Sequence, residues 1–171
     1  KILPKNLSKK AEIIFKKSMP HLNSFSHMRA KALVIKSLSL ISSKRIINQS
    51  LIQTIVNSYA DSLLSSFKQN MTNEWKWFEN YLGYNNAILP ESMFIASSIT
   101  KNNNYLKVGI ESLDFLINKT FINNMYIPIG NDKWHTKNEH RSEFDQQPEE
   151  PTSMILALGT SFKITKNNSY V

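Results

Sequence analysis

The sequence of 171 residues contains no cysteine, only four glycines and only six prolines. The absence of cysteine excludes disulfide scaffolds, thiol catalysis and cysteine zinc sites, and it favours a reducing compartment. So few glycines and prolines supply few turns for a many-stranded sandwich or barrel. No run of about 18 apolar residues is present to span a membrane. Because 41% of the residues are apolar, the composition instead predicts a packed, mainly helical domain.

Positive charge is concentrated in the first fifty residues. They hold eleven lysines and arginines against one acid, Glu12, whereas residues 51–100 hold two against four. A nucleic acid or an anionic surface suits such a basic excess. Arginine is scarce there and the aromatic residues are only Phe15 and Phe25, which favours a solvated helix face over a stacking platform. The basic candidates are Lys5, Lys9, Lys10, Lys16, Lys17, Lys31, Lys36, Lys44 and Arg45.

Apolar residues recur at steps of three and four over most of the chain, which is the spacing of amphipathic helices. The pattern predicts helices over 7–18, 26–42, about 46–69, about 90–100, 104–118 and about 148–164, with an irregular aromatic stretch over 74–89 and a short extended segment at Met125–Gly130. We therefore predict an all-α fold of antiparallel helical hairpins. It is one helical domain over 1–171 or a fragment of a longer one, with basic helices in 1–70 and motif-bearing hairpins in 71–171.

One short segment is repeated. Residues 99–106 (ITKNNNYL) recur as 164–171 (ITKNNSYV), and both copies follow a helix predicted to begin at a proline. Repeated helix–turn–helix units bury their faces against neighbouring units. We therefore expect a part of a longer hairpin array, in which the last helix leaves an apolar face exposed around Met154, Ile155 or Leu158. A homodimer through such hairpin flanks is one way to cover that face.

Three segments, 75–91, 126–134 and 144–150, combine aromatic residues with amides and carboxylates, and they contain every tryptophan of the chain. Aromatic faces cover the apolar side of a pyranose, while amides and acids bond its hydroxyls. Alternate helices of a hairpin array are parallel, so the loops Tyr84–Asn86 and Asp145–Gln147 are expected at one end, beside Trp134 and close to helix N-termini. The alternative is that the tryptophans are core residues and that the polar residues, Asp145 included, cap helices.

The motifs WKWFENYLGYNNAILPES, YIPIGNDKWH and FDQQPEE resemble the helical toroid domain found attached to, or encoded beside, bacterial and archaeal glycosyltransferases. That domain is similar to the six-hairpin, (α/α)6-barrel sugar enzymes, such as unsaturated glucuronyl hydrolases and acylglucosamine epimerases. The resemblance covers about residues 72–171. Pro151 stands where a small residue is usual, so the start of the last helix is expected to shift. The resemblance implies an incomplete (α/α) toroid, a glycan ligand, a glycosyltransferase partner and no cofactor. The absence of cysteine, which favours a reducing compartment, predicts a cytoplasmic location.

The resemblance also implies roles for particular residues. The general acid/base candidates are, in order, Asp145, Glu79 and Glu150. The substrate-binding candidates are Trp77, Tyr84, Asn86, Glu91, Trp134, Phe144, Gln146 and Gln147. Glycoside hydrolysis in its common form uses two carboxyls across the scissile bond, whereas hydration of an unsaturated uronide or epimerisation can use one acid/base group.

Three classes of function therefore remain open at this point: hydrolase- or epimerase-like chemistry on a glycan, a non-catalytic module that binds a glycan or a partner enzyme, and, more weakly, a basic nucleic-acid-binding protein. A metal loop of His135, Glu139 and His140 has no helical ligand spacing, so no metal site is expected. The sequence has neither a glycine-rich phosphate loop nor a G-x-S-x-G nucleophile motif.

Overall fold

The computed structural model describes residues 4–42 and 47–170, so the predicted basic residues Lys44 and Arg45 lie outside the described residues. In the described ranges the helices are α1 Lys5–Ser18, α2 Met28–Ser42, α3 Gln49–Asn70, α4 Ile88–Thr100, α5 Asn103–Thr120 and α6 Glu149–Thr165. Single 3-10 turns occupy Met19–His21 and Asn168–Tyr170. The all-α prediction is confirmed. Among the described helices, none is both long enough and apolar enough to cross a membrane.

Two kinds of sequence signal begin these helices. Asn48 and Asn102 cap α3 and α5, and each side-chain oxygen accepts the backbone N–H two residues on, at 2.9 Å. The helices α4 and α6 have no side-chain cap. Each has a proline as its third residue, Pro90 or Pro151, where the missing N–H has no partner within the helix anyway. Pro151 thus stands at the same place in α6 as Pro90 does in α4.

The helices pack in two rows, with α2, α4 and α6 side by side in one row and α3 and α5 in the other. Arg29 at the start of α2 contacts Tyr84, just before α4. Asn86, also just before α4, contacts Glu150 in the first turn of α6. The N-terminal ends of α2, α4 and α6 therefore meet at one end of their row.

Large apolar side chains fill the space between the rows. The largest that are fully buried include Trp77, Phe67, Phe78, Phe94 and Tyr105. Their rings make edge-on contacts, such as Phe67 with Phe78 at 5.4 Å between centroids, a favourable aromatic arrangement. The aromatic loop before α4 therefore contributes to the core as well as to the surface.

Two small antiparallel ribbons connect the loops. In the first, β1 (Tyr81–Leu82) pairs with β4 (His135–Thr136). In the second, β2 (Phe121–Ile122) pairs with β3 (Met125–Tyr126). The strand β3 lies within the predicted extended segment, whereas β2 precedes it. Pairing of β1 with β4 holds the loop before α4 against the loop before α6. This pairing was not predicted, because two-residue strands leave no periodic signal in a sequence.

The repeated segment forms the same turn twice. Lys101 and Lys166 both end their helices in the left-handed conformation, with φ of 61° and 60°. Four residues further on, Tyr105 and Tyr170 are both buried. The Tyr105 hydroxyl donates to Asp61 at 2.6 Å and the Tyr170 hydroxyl to Asp114 at 2.8 Å. In both cases burial, followed by the aspartate, raises the pKa of the tyrosine.

The helix α6 has an exposed apolar face, though not all of the expected residues contribute to it. Ile155 is 69% exposed and Leu156 is 46% exposed. Met154 is instead buried and Leu158 is half-buried, because their positions on the helix face α4. The expected open face therefore consists of Ile155 and Leu156.

Candidate functional site

The loop before α4 and the start of α6 meet through two hydrogen-bonded pairs of side chains. Asn85 Nδ2 donates to Glu149 Oε1 at 2.9 Å. The backbone N–H and Nδ2 of Asn86 donate to Glu150 Oε2 at 3.4 and 3.2 Å. Asn85 has φ of 46°, a left-handed conformation that asparagine tolerates better than most residues. We call this meeting point of the three helix N-termini the junction; it comprises Arg29, Glu79, Tyr84, Asn85, Asn86, Glu149 and Glu150.

Arg29 links α2 to the other elements of the junction. Its Nε donates to the Tyr84 carbonyl at 2.6 Å, and its Nη1 lies 3.1 and 2.9 Å from the two carboxylate oxygens of Glu79. The guanidinium carbon also lies 5.1 Å from the centre of the Tyr84 ring, a cation–π distance. Arg29 was not predicted as a site residue. The feature of the sequence that could have identified Arg29 is the rarity of arginine, since only three of the 21 basic residues are arginines.

Glu79 serves as the buried counter-ion of Arg29. Its Oε1 also accepts the Tyr81 hydroxyl at 2.9 Å. Burial and the neighbouring Glu79 raise the pKa of Tyr81. Because the guanidinium contacts both carboxylate oxygens, this geometry favours a positioning role for Glu79 over proton exchange with a ligand.

Glu150 has a different environment. It is 4% exposed and makes no ion pair with a described residue. Burial raises its pKa, and this effect outweighs the hydrogen bonds from Asn86 and the more distant charge of Arg29, which lower it. Tyr126 lies in the field of the same carboxyl, and its pKa is raised by burial first and by Glu150 second. Burial therefore lets the Glu150 carboxyl keep its proton to a higher pH than an exposed glutamate does.

Buried polar atoms without partners are concentrated at the junction. In residues 4–42 and 47–170, eight buried side-chain nitrogen or oxygen atoms have no hydrogen-bond partner, and five of them lie here. The single donor is Arg29 Nη2. The acceptors are Asn85 Oδ1, Asn86 Oδ1, Glu150 Oε1 and Glu79 Oε2, the last of which contacts Arg29 only as an ion pair. Native proteins pair most buried polar groups, so this concentration distinguishes the junction from the rest of the described residues.

Aromatic side chains lie beside the junction. Trp134 is half-buried and stacks on Tyr81 with 5.0 Å between ring centres, and its indole N–H donates to Asn131 Oδ1 at 2.8 Å. Gly83 allows this packing, because a Cβ at that position would lie 3.1 Å from the Tyr81 ring. Tyr84 is 50% exposed and Phe144 is 77% exposed. These last two present aromatic faces to solvent.

The segment Asp145–Gln147 lies on the exposed side of the same region. Its backbone is fixed by the Asn131 N–H, which donates to the Asp145 carbonyl at 3.0 Å. Asp145 has φ of 58°, and its Oδ1 accepts from Gln147 Nε2 at 3.0 Å. Gln146 Nε2 donates to the Glu143 carbonyl at 3.1 Å. The residue that caps α6 is Pro148, with no side-chain cap bond, so the alternative prediction that Asp145 caps this helix is wrong.

Besides Asn86, which is fully buried at the junction, two of the predicted binding residues lie inside the fold. Trp77 is fully buried and packs against Phe78 and Phe115, at 5.4 and 6.1 Å between ring centres. Glu91 is 3% exposed; it pairs with Lys36 at 2.7 Å and accepts the Thr160 hydroxyl at 3.2 Å. The prediction that these two contact a substrate is therefore corrected. Composition alone did not separate an aromatic or acidic core residue from an exposed one.

The remaining polar candidates lie elsewhere. His135 packs against Trp75 at 5.4 Å, and burial, followed by the charge of Lys119, lowers its pKa. In the described part of the chain, no three His, Cys, Asp or Glu residues are grouped as metal ligands. Of the predicted basic surface, Lys31 donates to Ser62 and Lys36 pairs with Glu91. These two lysines therefore stabilise helix packing.

No protein-family model, curated protein or solved structure matches this chain. The resemblance of the three motifs to glycosyltransferase-associated toroid domains therefore stays a prediction.

Proposed function

We propose that this chain is a carbohydrate-binding helical domain that holds a sugar or glycan at the junction. The observation that carries the proposal is the concentration of five of the eight unpartnered buried polar atoms of the described residues at this one place. They comprise one donor, on Arg29, and acceptors on Asn85, Asn86 and Glu150, together with Glu79 Oε2, which already forms an ion pair with Arg29. A sugar hydroxyl donates and accepts at once, so a hydroxyl-rich ligand matches this mixed set.

The exposed side chains support the same ligand class. Tyr84 and Phe144 offer aromatic faces that suit the C–H side of a pyranose. Gln146 and Gln147 are exposed amides that can bond its outer hydroxyls. The positive charge of Arg29 beside the buried acceptors disfavours a metal cation there. Together these features favour a neutral or weakly charged sugar.

The wider proposal is an incomplete (α/α) toroid that works with a glycosyltransferase in the cytoplasm. The row of α2, α4 and α6 with meeting N-termini supports the toroid, because such folds place parallel helices side by side. The proposal of a glycosyltransferase partner is based on the resemblance of the three motifs to glycosyltransferase-associated domains. The proposal of a cytoplasmic location is based on the absence of cysteine from the sequence. Pull-down with a co-encoded glycosyltransferase tests the partner.

A second candidate function is acid/base catalysis on the bound glycan. The specific observation in its favour is the raised pKa of the buried Glu150, which suits a general acid. Release of 4-nitrophenol from a panel of 4-nitrophenyl glycosides tests for hydrolysis. Turnover that is lost in Glu150→Gln supports catalysis, whereas equal turnover in the two proteins excludes Glu150 as the acid.

The binding proposal is tested by NMR of the tryptophan indole N–H signals. The panel is glucose, galactose, mannose, N-acetylglucosamine and glucuronate, each added to ¹⁵N-labelled protein. We expect at least one sugar to shift the half-buried Trp134 signal while those of the buried Trp75 and Trp77 stay in place.

Two variants localise the effect. Tyr84→Ala removes the aromatic face beside Arg29 and should abolish the shift. Phe121→Ala removes a comparably exposed aromatic ring in β2 and should retain it. A Trp134 signal that no sugar of the panel moves would overturn the proposal.

A further inference from the structure

The helix α1 has an amphipathic, basic surface that the rest of the fold leaves uncovered. Leu7, Ala11, Ile14 and Phe15 lie on one side, at helical steps of three and four. Ile14 is 68% exposed and Leu7 is 44% exposed. None of residues 6–18 is fully buried.

The charge of α1 lies mostly on the opposite side of the helix. The sequence of α1 holds five lysines, at positions 5, 9, 10, 16 and 17, against a single acid, Glu12. The Lys9, Lys10, Lys16 and Lys17 side chains are exposed. Glu12 pairs with Lys16 at 2.7 Å, so the helix keeps a net charge of about +4.

An apolar groove continues this surface beyond α1. A cavity of about 330 Å³ lies between the end of α1 and α2, and the side chains that line it include Phe15, Leu22, Phe25, Leu33 and Val34. Phe25 and Leu33 are 41% and 49% exposed. None of the described residues that line the groove is acidic. Phe15 belongs both to the apolar side of α1 and to the groove, so the two apolar surfaces meet at this residue.

We propose that α1 and this groove bind the surface of a lipid bilayer that contains anionic lipids. A short helix with an apolar face and a lysine-rich polar face lies in the plane of a membrane interface, where its lysines meet acidic headgroups. Two copies of α1 would bring ten lysines together, so like charges oppose a homodimer at this face. A nucleic acid would leave Leu7 and Ile14 exposed to water. This inference is independent of the sugar site.

The test is sedimentation of the whole protein with vesicles of phosphatidylcholine, with or without phosphatidylglycerol. We expect binding only to the anionic vesicles, weakened about tenfold or more when the salt is raised. Ile14→Glu places a charge on the apolar face and should abolish binding, while the exposure of Ile14 keeps the fold intact. Circular dichroism verifies that fold.

Two double variants with the same change in net charge distinguish binding through α1 from a general electrostatic attraction between the protein and the vesicles. Lys9→Glu with Lys10→Glu should weaken vesicle binding at least about tenfold. Lys68→Glu with Lys163→Glu changes the net charge equally at exposed sites of α3 and α6 and should weaken it far less. Equal losses in the two pairs, retained binding by Ile14→Glu, or a dimer in sedimentation equilibrium that Ile14→Glu dissociates would each overturn the proposal.

Discussion

Glu91 in α4 and Glu150 in α6 are buried almost equally, at 3% and 4% exposure, yet their surroundings differ. Glu91 has a lysine at 2.7 Å and a threonine hydroxyl at 3.2 Å, so both of its oxygens have partners. Glu150 has one oxygen bonded by Asn86 and one without a partner. This difference shows that burial alone does not identify a functional carboxyl. The incomplete set of partners around Glu150 is what distinguishes the junction from a structural ion pair.

The largest effect on stability is expected where the structural pair is broken. Lys36→Met removes the cation and leaves Glu91 buried without a counter-ion, which costs about 2–3 kcal/mol of the free energy of unfolding. Urea denaturation measures this loss. Lys16→Met breaks a pair whose side chains are 59% and 44% exposed, and it should leave the free energy of unfolding unchanged within error. Equal effects of the two variants would show that Lys36 does not hold Glu91 in the fold.

A smaller effect is expected at the counter-ion pair of the junction. Tyr81→Phe removes the hydroxyl that donates to Glu79 at 2.9 Å and should cost about 1 kcal/mol. The Trp134 ring should stay stacked on the phenyl ring, so the indole N–H signal of Trp134 reports that the site is intact. A loss of stability together with a displaced Trp134 signal would mean that Tyr81 orders the whole loop.

Glu150→Gln is expected to change the free energy of unfolding by less than Tyr81→Phe does. The change should be a gain in stability, and it should depend on pH. Because the folded-state pKa of Glu150 is raised above its ordinary value of 4.5, the folded protein keeps this proton to a higher pH than the unfolded chain does. The stability of the wild-type protein therefore falls as the pH rises from about 4.5 through the folded-state pKa. Glutamine does not titrate, so the variant should gain stability relative to the wild type over that range. Thermal unfolding at pH 4 and pH 8 measures this, and a gain at acidic pH only would contradict it.

The smallest effect is expected at Asp145. Its side chain is exposed and caps no helix, and asparagine tolerates the same left-handed backbone. Asp145→Asn should therefore change the free energy of unfolding by less than about 0.5 kcal/mol. A melting curve shifted downward by several degrees would show that the carboxylate stabilises the loop.

The sequence predicted local features well and long-range ones poorly. Helical spacing and the proline-started helices located α4 and α6, and the repeat around Tyr105 and Tyr170 corresponds to two copies of one turn. The spacing of apolar residues along a segment shows which face of that segment is buried, but it does not show which other segment covers that face. It therefore did not show that Arg29 would reach the loop before α4.

The same limit explains the tryptophans. Trp77 and Trp134 lie in segments of similar composition, yet one is in the core and the other is half-buried at the surface. Which indole is covered depends on neighbours from α5 and from the pairing of β1 with β4. The residue types indicated which ligand chemistry these segments suit. The contacts between segments determine which of the aromatic side chains are exposed to a ligand.

The most direct test of the distinction between Glu91 and Glu150 is calorimetric titration of the same five sugars into three proteins. We expect a sugar that binds the wild type to bind Glu150→Gln at least about tenfold more weakly, because the amide has one oxygen for Asn86 and presents an N–H donor in place of the second carboxyl oxygen. Glu91→Gln makes the matched change at the structural pair and should bind that sugar with wild-type affinity. Wild-type affinity in Glu150→Gln, or no binding heat from any of the five sugars, would contradict the account.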